Sequence, residues 1–399
     1  MDSNDFHLAY DSMDVDEEPP ILDHSSGSRE IVRVSETVQA LYKVVRCGNV
    51  AFSSGNVKDA YTVLHEALRL FKHFHNEKSI GVVNNNLGNV MLIMYRTMEN
   101  FHMQRLNGKA KADIIREGIT FYQQAIELGE KEYDDIQGEN SAPLKCLEFL
   151  QHLSNRYFNR GVFLLTVKDC HSQPDEIEQL GLRDIEIARD LDQEIADSGE
   201  EAGWTRMECI EKFLNIVEIR SRGYLLLLEL GYPDDWEVDE LLDDAFRMLK
   251  KEINDDCSAL FDTVTVVGRL QRIEAELIQY KLLKGAWKEA AQIGIRMLME
   301  DEYISLEAQS WAQESLSMYV PVMEVDPGTR RELKEGLSVF QNDLQSAIKA
   351  MEETLAPTRS EKLYTLSDRR KSDMKVASEL FQMSSAREFR RGYVSMEEL

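Results

Sequence analysis

The feature that most constrains this chain is a spacing of small and apolar residues that occurs twice, far apart. In VVRCGNVAFSSGNVKDAYTVLHEAL, Gly48, Ala60, Leu64 and Ala67 follow one another at steps of 12, 4 and 3, with Gly55 in the turn between them. In RIEAELIQYKLLKGAWKEAAQIGIRML, Ile278, Ala290, Gly294 and Met297 repeat the same steps, with Gly285 in the corresponding turn. Steps of three and four place residues on one face of a helix, and glycine marks the break between two helices. Small residues at fixed offsets are what paired helices need where their backbones approach. The unit is therefore a helical hairpin, and such a hairpin buries its core against copies of itself.

The same periodicity runs through most of the chain. With only 8 prolines, helices can run long, and the spacing predicts them over 80–104, 110–132, 142–168, 175–196, 202–231, 236–252, 257–284, 286–300, 304–319 and 329–355. The stretch SSGN at 53–56 reads as the turn of the first hairpin, and GYPDDW as a later one. Strand-like alternation is nearly absent, so the expected class is all-α.

Charge narrows the range of partners. Lys and Arg number 46 against 72 Asp and Glu, a net −26, which repels both a phosphate backbone and an anionic bilayer. The expectation is a protein or peptide partner, with no nucleic acid and no direct membrane binding. The five cysteines are widely spaced, without a C-x-x-C pair, and read as free thiols of a reducing, cytoplasmic compartment. Residues 1–28, with acids, Ser, Gly and a Pro-Pro pair, read as disordered and lack the basic start of a signal or transit peptide. No apolar run approaches the roughly 18 residues that a span needs.

The pattern Leu-Gly, Ala, Ala resembles the tetratricopeptide repeat (TPR) family. It fits Cys47-Gly48, Ala60 and Ala67, and again Leu87-Gly88 followed by Ala125. The resemblance implies an α-solenoid, a right-handed superhelix of hairpins, over residues 29–325. A C-terminal helix at 326–356 and a mixed-charge, partly helical tail at 357–399 follow. In the second unit Gly88 and Gly118 are 30 apart, implying extra residues that lengthen both helices; a third pairs NRYFNRG with GLRDIEIAR. WAQESLSMYV at 311–320 reads as part of the closure of the stack.

In that family, the second, sixth and ninth positions of each first helix face a concave groove. The resemblance thus places Asn49, Asn86, Asn89, Asn155 and Asn159 along a channel, with Tyr42, Arg46 and Tyr157 as neighbours. Amides that donate and accept at once suit the backbone of an extended peptide. The alternative is that they hydrogen-bond between neighbouring hairpins and fix the stacking. A carboxylate clamp of the chaperone-binding kind needs cations where this chain has Val45, Asn155 and Asn159, which argues against one. Arg46, Arg156 and Arg160 stand one residue away.

A second resemblance, carried by residues 29–90, is to the repeat region of large microbial eukaryotic signalling proteins that can bear a von Willebrand A-type domain. It implies an alternative role as the regulatory segment of a larger signalling protein or receptor. Phosphate, dinucleotide, zinc-protease and serine-nucleophile motifs are all missing from the sequence, so no catalytic residue, metal or cofactor is expected. His65, His73 and His75 lack a third ligand and read as solvated or partner-facing. The run RRKS around Ser372 has the form of a basophilic kinase site. The favoured expectation is a non-enzymatic interaction scaffold.

Overall fold

The computed structural model describes residues 57–73, 75–138, 143–254, 263–300 and 306–323, with scattered helical positions between 327 and 346. Tyr42, Arg46 and Asn49, the turn at 53–56, the acidic N-terminus and the tail at 357–399 lie outside the described residues.

Helices dominate, as the periodicity predicts: α1 (Val57–His73), α2 (Glu77–Asn100), α3 (Lys111–Gly138), α4 (Pro143–Val167), α5 (Pro174–Ala202), α6 (Arg206–Glu229), α7 (Val238–Asn254), α8 (Thr263–Leu283), α9 (Trp287–Glu300) and α10 (Leu306–Tyr319). Local chemistry sets several boundaries. Asn76 caps α2, its side-chain oxygen accepting from the Ser79 amide at 3.1 Å. Thr205 and Glu208 form a reciprocal capping box at the start of α6, each taking the other's backbone N–H. Gly285, with a φ of 71°, takes the left-handed conformation that ends α8, as its place in the sequence turn predicts.

Between α2 and α3 the structure adds an element that the periodicity does not contain. Strands β1 (Arg105–Leu106) and β2 (Lys109–Ala110) pair antiparallel across Asn107-Gly108, both at positive φ. That dipeptide is the standard two-residue hairpin turn. The long step from Gly88 to Gly118 is thus taken up by longer helices and by this hairpin together.

Two compact units are present, one ending at Cys209 and the other beginning at Ile210. In the first, α1 packs on α2, α2 on α3, α3 on α4 and α4 on α5, while α2 also meets α4. Successive helices run antiparallel: Lys131 near the end of α3 reaches Glu77 at the start of α2, and Tyr122 reaches Asn89. Next-but-one helices run parallel, since α2 is bonded at pairs 74 and 75 residues apart to α4 and to the short 3-10 turn, Lys168–Cys170, that follows it: Asn85 with Asn159 and Tyr95 with Cys170.

The second unit repeats this logic. There α7 packs on α8, α8 on α9, α9 on α10, and α8 also on α10. Bonds between α6 and α8 keep a separation of 54 or 55 residues over two turns, so these helices too lie parallel.

The small residues singled out in the sequence sit at the contacts. Ala60, Leu64 and Ala67 are fully buried on α1. Ile278, Ala290 and Met297 form one apolar cluster with Leu282 and Ala308, against which Trp311 packs. A Cβ on Gly88 would lie 2.6 Å from the Tyr122 ring, one on Gly118 would collide with the Phe163 ring, and one on Gly294 would lie 3.0 Å from the Ala312 backbone. No helix among the described residues is long and apolar enough to cross a membrane.

Candidate functional site

In both units the parallel helices meet along a polar seam. The first is built mainly of neutral amides. α2 is enclosed over its whole circumference, every residue from Gly81 to Tyr95 being buried, so Asn84, Asn85, Asn86 and Asn89 have no solvent to face. Neighbouring side chains bond Asn84, Asn85 and Asn89. The Asn159 side-chain amide donates to the Asn85 oxygen at 3.2 Å, the Tyr122 hydroxyl donates to Asn89 at 2.8 Å, and Asn84 donates to Gln124 at 3.4 Å. Burial in this setting lifts the Tyr122 phenol well above its ordinary range, so it stays a donor.

This corrects the reading of Asn86, Asn89, Asn155 and Asn159 as residues of an open channel: all four are buried. Tyr157 is buried as well, its hydroxyl donating to Glu130 on α3. The physical reason is that an unpaired amide in the interior costs a few kcal/mol, so packing draws such groups toward one another. The stacking alternative is the one these contacts match.

Arg156 and Arg160, each one residue from a clamp position, point to second helices. Arg156 lies in a slot between α2 and α3. A Cβ on Gly81 would come within 3.0 Å of its guanidinium and one on Gly129 within 2.7 Å, and its Nη1 donates to the Ala125 carbonyl at 2.9 Å. Arg160 grips Asp184 of α5 through two bonds of 2.6 and 2.7 Å and also reaches Gln123. Burial raises the Asp184 carboxyl, and Arg160 pulls against that shift. Ser154 adds bonds to the Ala188 carbonyl and to Asp192, at 3.0 and 2.5 Å.

The seam of the second unit is charged. Along α6 stand Asn215, Glu218, Ser221 and Arg222; along α8 stand Arg269, Arg272 and Glu276. Glu276 accepts from Ser221 at 2.6 Å and from Arg222 at 2.9 Å, while burial raises its carboxyl against the pull of both. Arg269 donates to Asn215 at 2.7 Å, and Glu218 stands 3.5 and 3.4 Å from Arg269 and Arg272. Glu274, on another side of α8, holds Arg296 of α9. At the foot of α8, Asp234 accepts from Tyr280 and pairs with Lys284. Burial alone would raise its carboxyl, but these partners bring it below its ordinary range.

None of these second-unit residues was singled out in the sequence. Their signal was present as polar residues at steps of three and four on α6, a helix otherwise rich in Leu and Ile. Among the described residues, no three His, Cys, Asp or Glu side chains group as metal ligands, and Cys146, Cys170 and Cys209 are free thiols. Compared with known proteins, the chain matches no family model, no curated protein and no solved structure.

Proposed function

We propose that this chain is a non-enzymatic scaffold of TPR-like hairpins, stacked as an α-solenoid, that holds a peptide or helix of a partner protein. The observation that carries this reading is the parallel alignment of next-but-one helices at constant sequence separation, 74–75 residues in one unit and 54–55 in the other. A hairpin stack of this kind lines one surface with the side chains of its alternate helices, and such surfaces serve recognition. The charged α6–α8 seam is the better candidate contact, because Glu218, Arg222, Arg269 and Arg272 all keep part of their side chains on solvent. In this reading the first unit's amides fix helix spacing.

Capture of partners by the intact chain tests the proposal, alongside Asn89→Ala. The expected result is a reproducible protein partner that the variant still retains below its lowered unfolding temperature. If the intact chain holds no protein beyond what an equally acidic control holds, the scaffold reading fails. Loss of the partner from Asn89→Ala at an unchanged unfolding temperature would return the amides to a ligand-facing role.

A further inference from the structure

Among the described pairs of the α6–α8 seam, guanidiniums outnumber carboxylates. Three guanidiniums, Arg222, Arg269 and Arg272, face two carboxylates, Glu218 and Glu276. Glu276 is committed to Arg222 and Ser221. Glu218 alone therefore serves both Arg269 and Arg272, and from distances of 3.5 and 3.4 Å, longer than a close charge-assisted bond. Two donor atoms are left over. Arg269 Nη1 and Arg272 Nε are buried and have no acceptor among the described residues. They belong to residues one helical turn apart on α8, on the same face.

A buried guanidinium N–H without an acceptor is costly, and a pair of them beside a surplus positive charge has a defined complement: an oxygen anion with two acceptor positions. The site borders solvent through Arg269 and Arg272, which keep 16% and 26% of their side-chain surface exposed, although the two spare donor atoms are themselves buried. It also carries the opposite sign to a chain of net charge −26.

We propose that Arg269 and Arg272 form an oxyanion-binding subsite, with Arg272 Nε and Arg269 Nη1 as its free donors and Asn215 holding the Arg269 guanidinium in place. The oxyanion is a phosphate or carboxylate, either free or carried on a peptide partner; in the second case the subsite rests on the scaffold reading above and supplies that partner's anchor. Glu218 competes with the ligand for the same two side chains.

The test uses the full-length chain and inorganic phosphate, compared with chloride at equal ionic strength. Arginine Nε–H resonances are followed by NMR, and the unfolding temperature is measured in parallel. Phosphate is expected to shift the Arg272 Nε–H resonance saturably and to raise the unfolding temperature. Arg272→Gln is expected to lose both responses. Glu218→Gln, which removes the competing carboxylate and keeps the fold, is expected to bind phosphate on the order of fivefold more tightly. A blocked tetraglutamate peptide is the second arm: competition with phosphate assigns the oxyanion to a partner chain, and its absence assigns it to a free ion. If phosphate acts like chloride on both the wild type and Glu218→Gln, the spare donors are met by water and the subsite does not exist. Because this measurement needs no partner, it can fail while partner capture succeeds, and the reverse.

Discussion

The two units solve one problem with different chemistry. Each lays a pair of parallel helices side by side and places polar groups between them, but α2 and α4 use neutral amides whereas α6 and α8 use guanidiniums and carboxylates. The difference follows from enclosure. Around α2 every position is buried for four turns, and a formal charge there would carry a desolvation penalty of several kcal/mol. A hydrogen-bonded amide carries a smaller one and still specifies its partner. Along α6 and α8, Glu218, Arg222, Arg269 and Arg272 retain partial exposure, so these charges are tolerated, and the buried Glu276 is held by Ser221 and Arg222. A polar helix contact can thus serve as an internal spacer or as a reactive surface, and burial decides which.

Five measurements break or sharpen this contrast. The largest effect is expected where the first unit departs from its own rule and buries an ion pair. Asp184→Ala leaves Arg160 charged and enclosed, and should cost about 3–5 kcal/mol in urea unfolding; a cost near zero would mean that solvent reaches Arg160. Next comes Gly161→Ala, whose new methyl would stand 2.8 Å from the Gly181 carbonyl oxygen, a rigid backbone atom. It should lose about 1–3 kcal/mol, more than Gly88→Ala, where the obstacle is the side chain of Tyr122. Tyr122→Phe removes one buried bond to Asn89 and should cost about 1 kcal/mol, with no dependence on salt.

The smallest effects belong to the second unit and depend on conditions. Raising NaCl to about 1 M screens partly exposed pairs, so hydrogen exchange should quicken in α6 and α8 and stay unchanged in α2 and α4. For pH, the folded state lowers the Asp234 carboxyl, so its contribution is complete above the ordinary carboxylate pKa and is lost as pH falls through the lower folded value. Asp234→Asn should therefore reduce the urea midpoint at pH 7 and change it little at pH 2. An equal loss at both would show that Tyr280 and Lys284 act on this residue through something other than its charge.

Much of the architecture was legible in the sequence. Most described helix limits fall within four residues of those predicted, α3 and α5 running on to Gly138 and Ala202; Gly285 occupies its turn, and Ala60, Ala67, Ala290 and Gly294 sit at helix contacts. Those features are local, set by period, caps and turn chemistry. The orientation of the amides was not legible, because α2 has no polar face: a helix enclosed on all sides loses the contrast that periodicity reads. Transferring groove positions from a resemblance filled that gap and put Asn86, Asn89, Asn155 and Asn159 on the wrong side of the surface. The β1–β2 hairpin was missed although Asn107-Gly108 announced it, since two-residue strands are too short to alternate. The division at 209–210 falls inside the first turns of α6, where the sequence shows no linker.

The slot around Arg156 carries a further consequence. Its guanidinium fits only because two helices each lack a methyl there, one at Gly81 and one at Gly129. Three positions far apart in the chain therefore form a single heritable unit. Enlarging either glycine ejects the arginine, and shortening the arginine leaves a void that the glycines cannot close. Any drift at this locus is expected to arrive as compensated changes, with the guanidinium acting as a gauge block that sets how far apart the three helices stand.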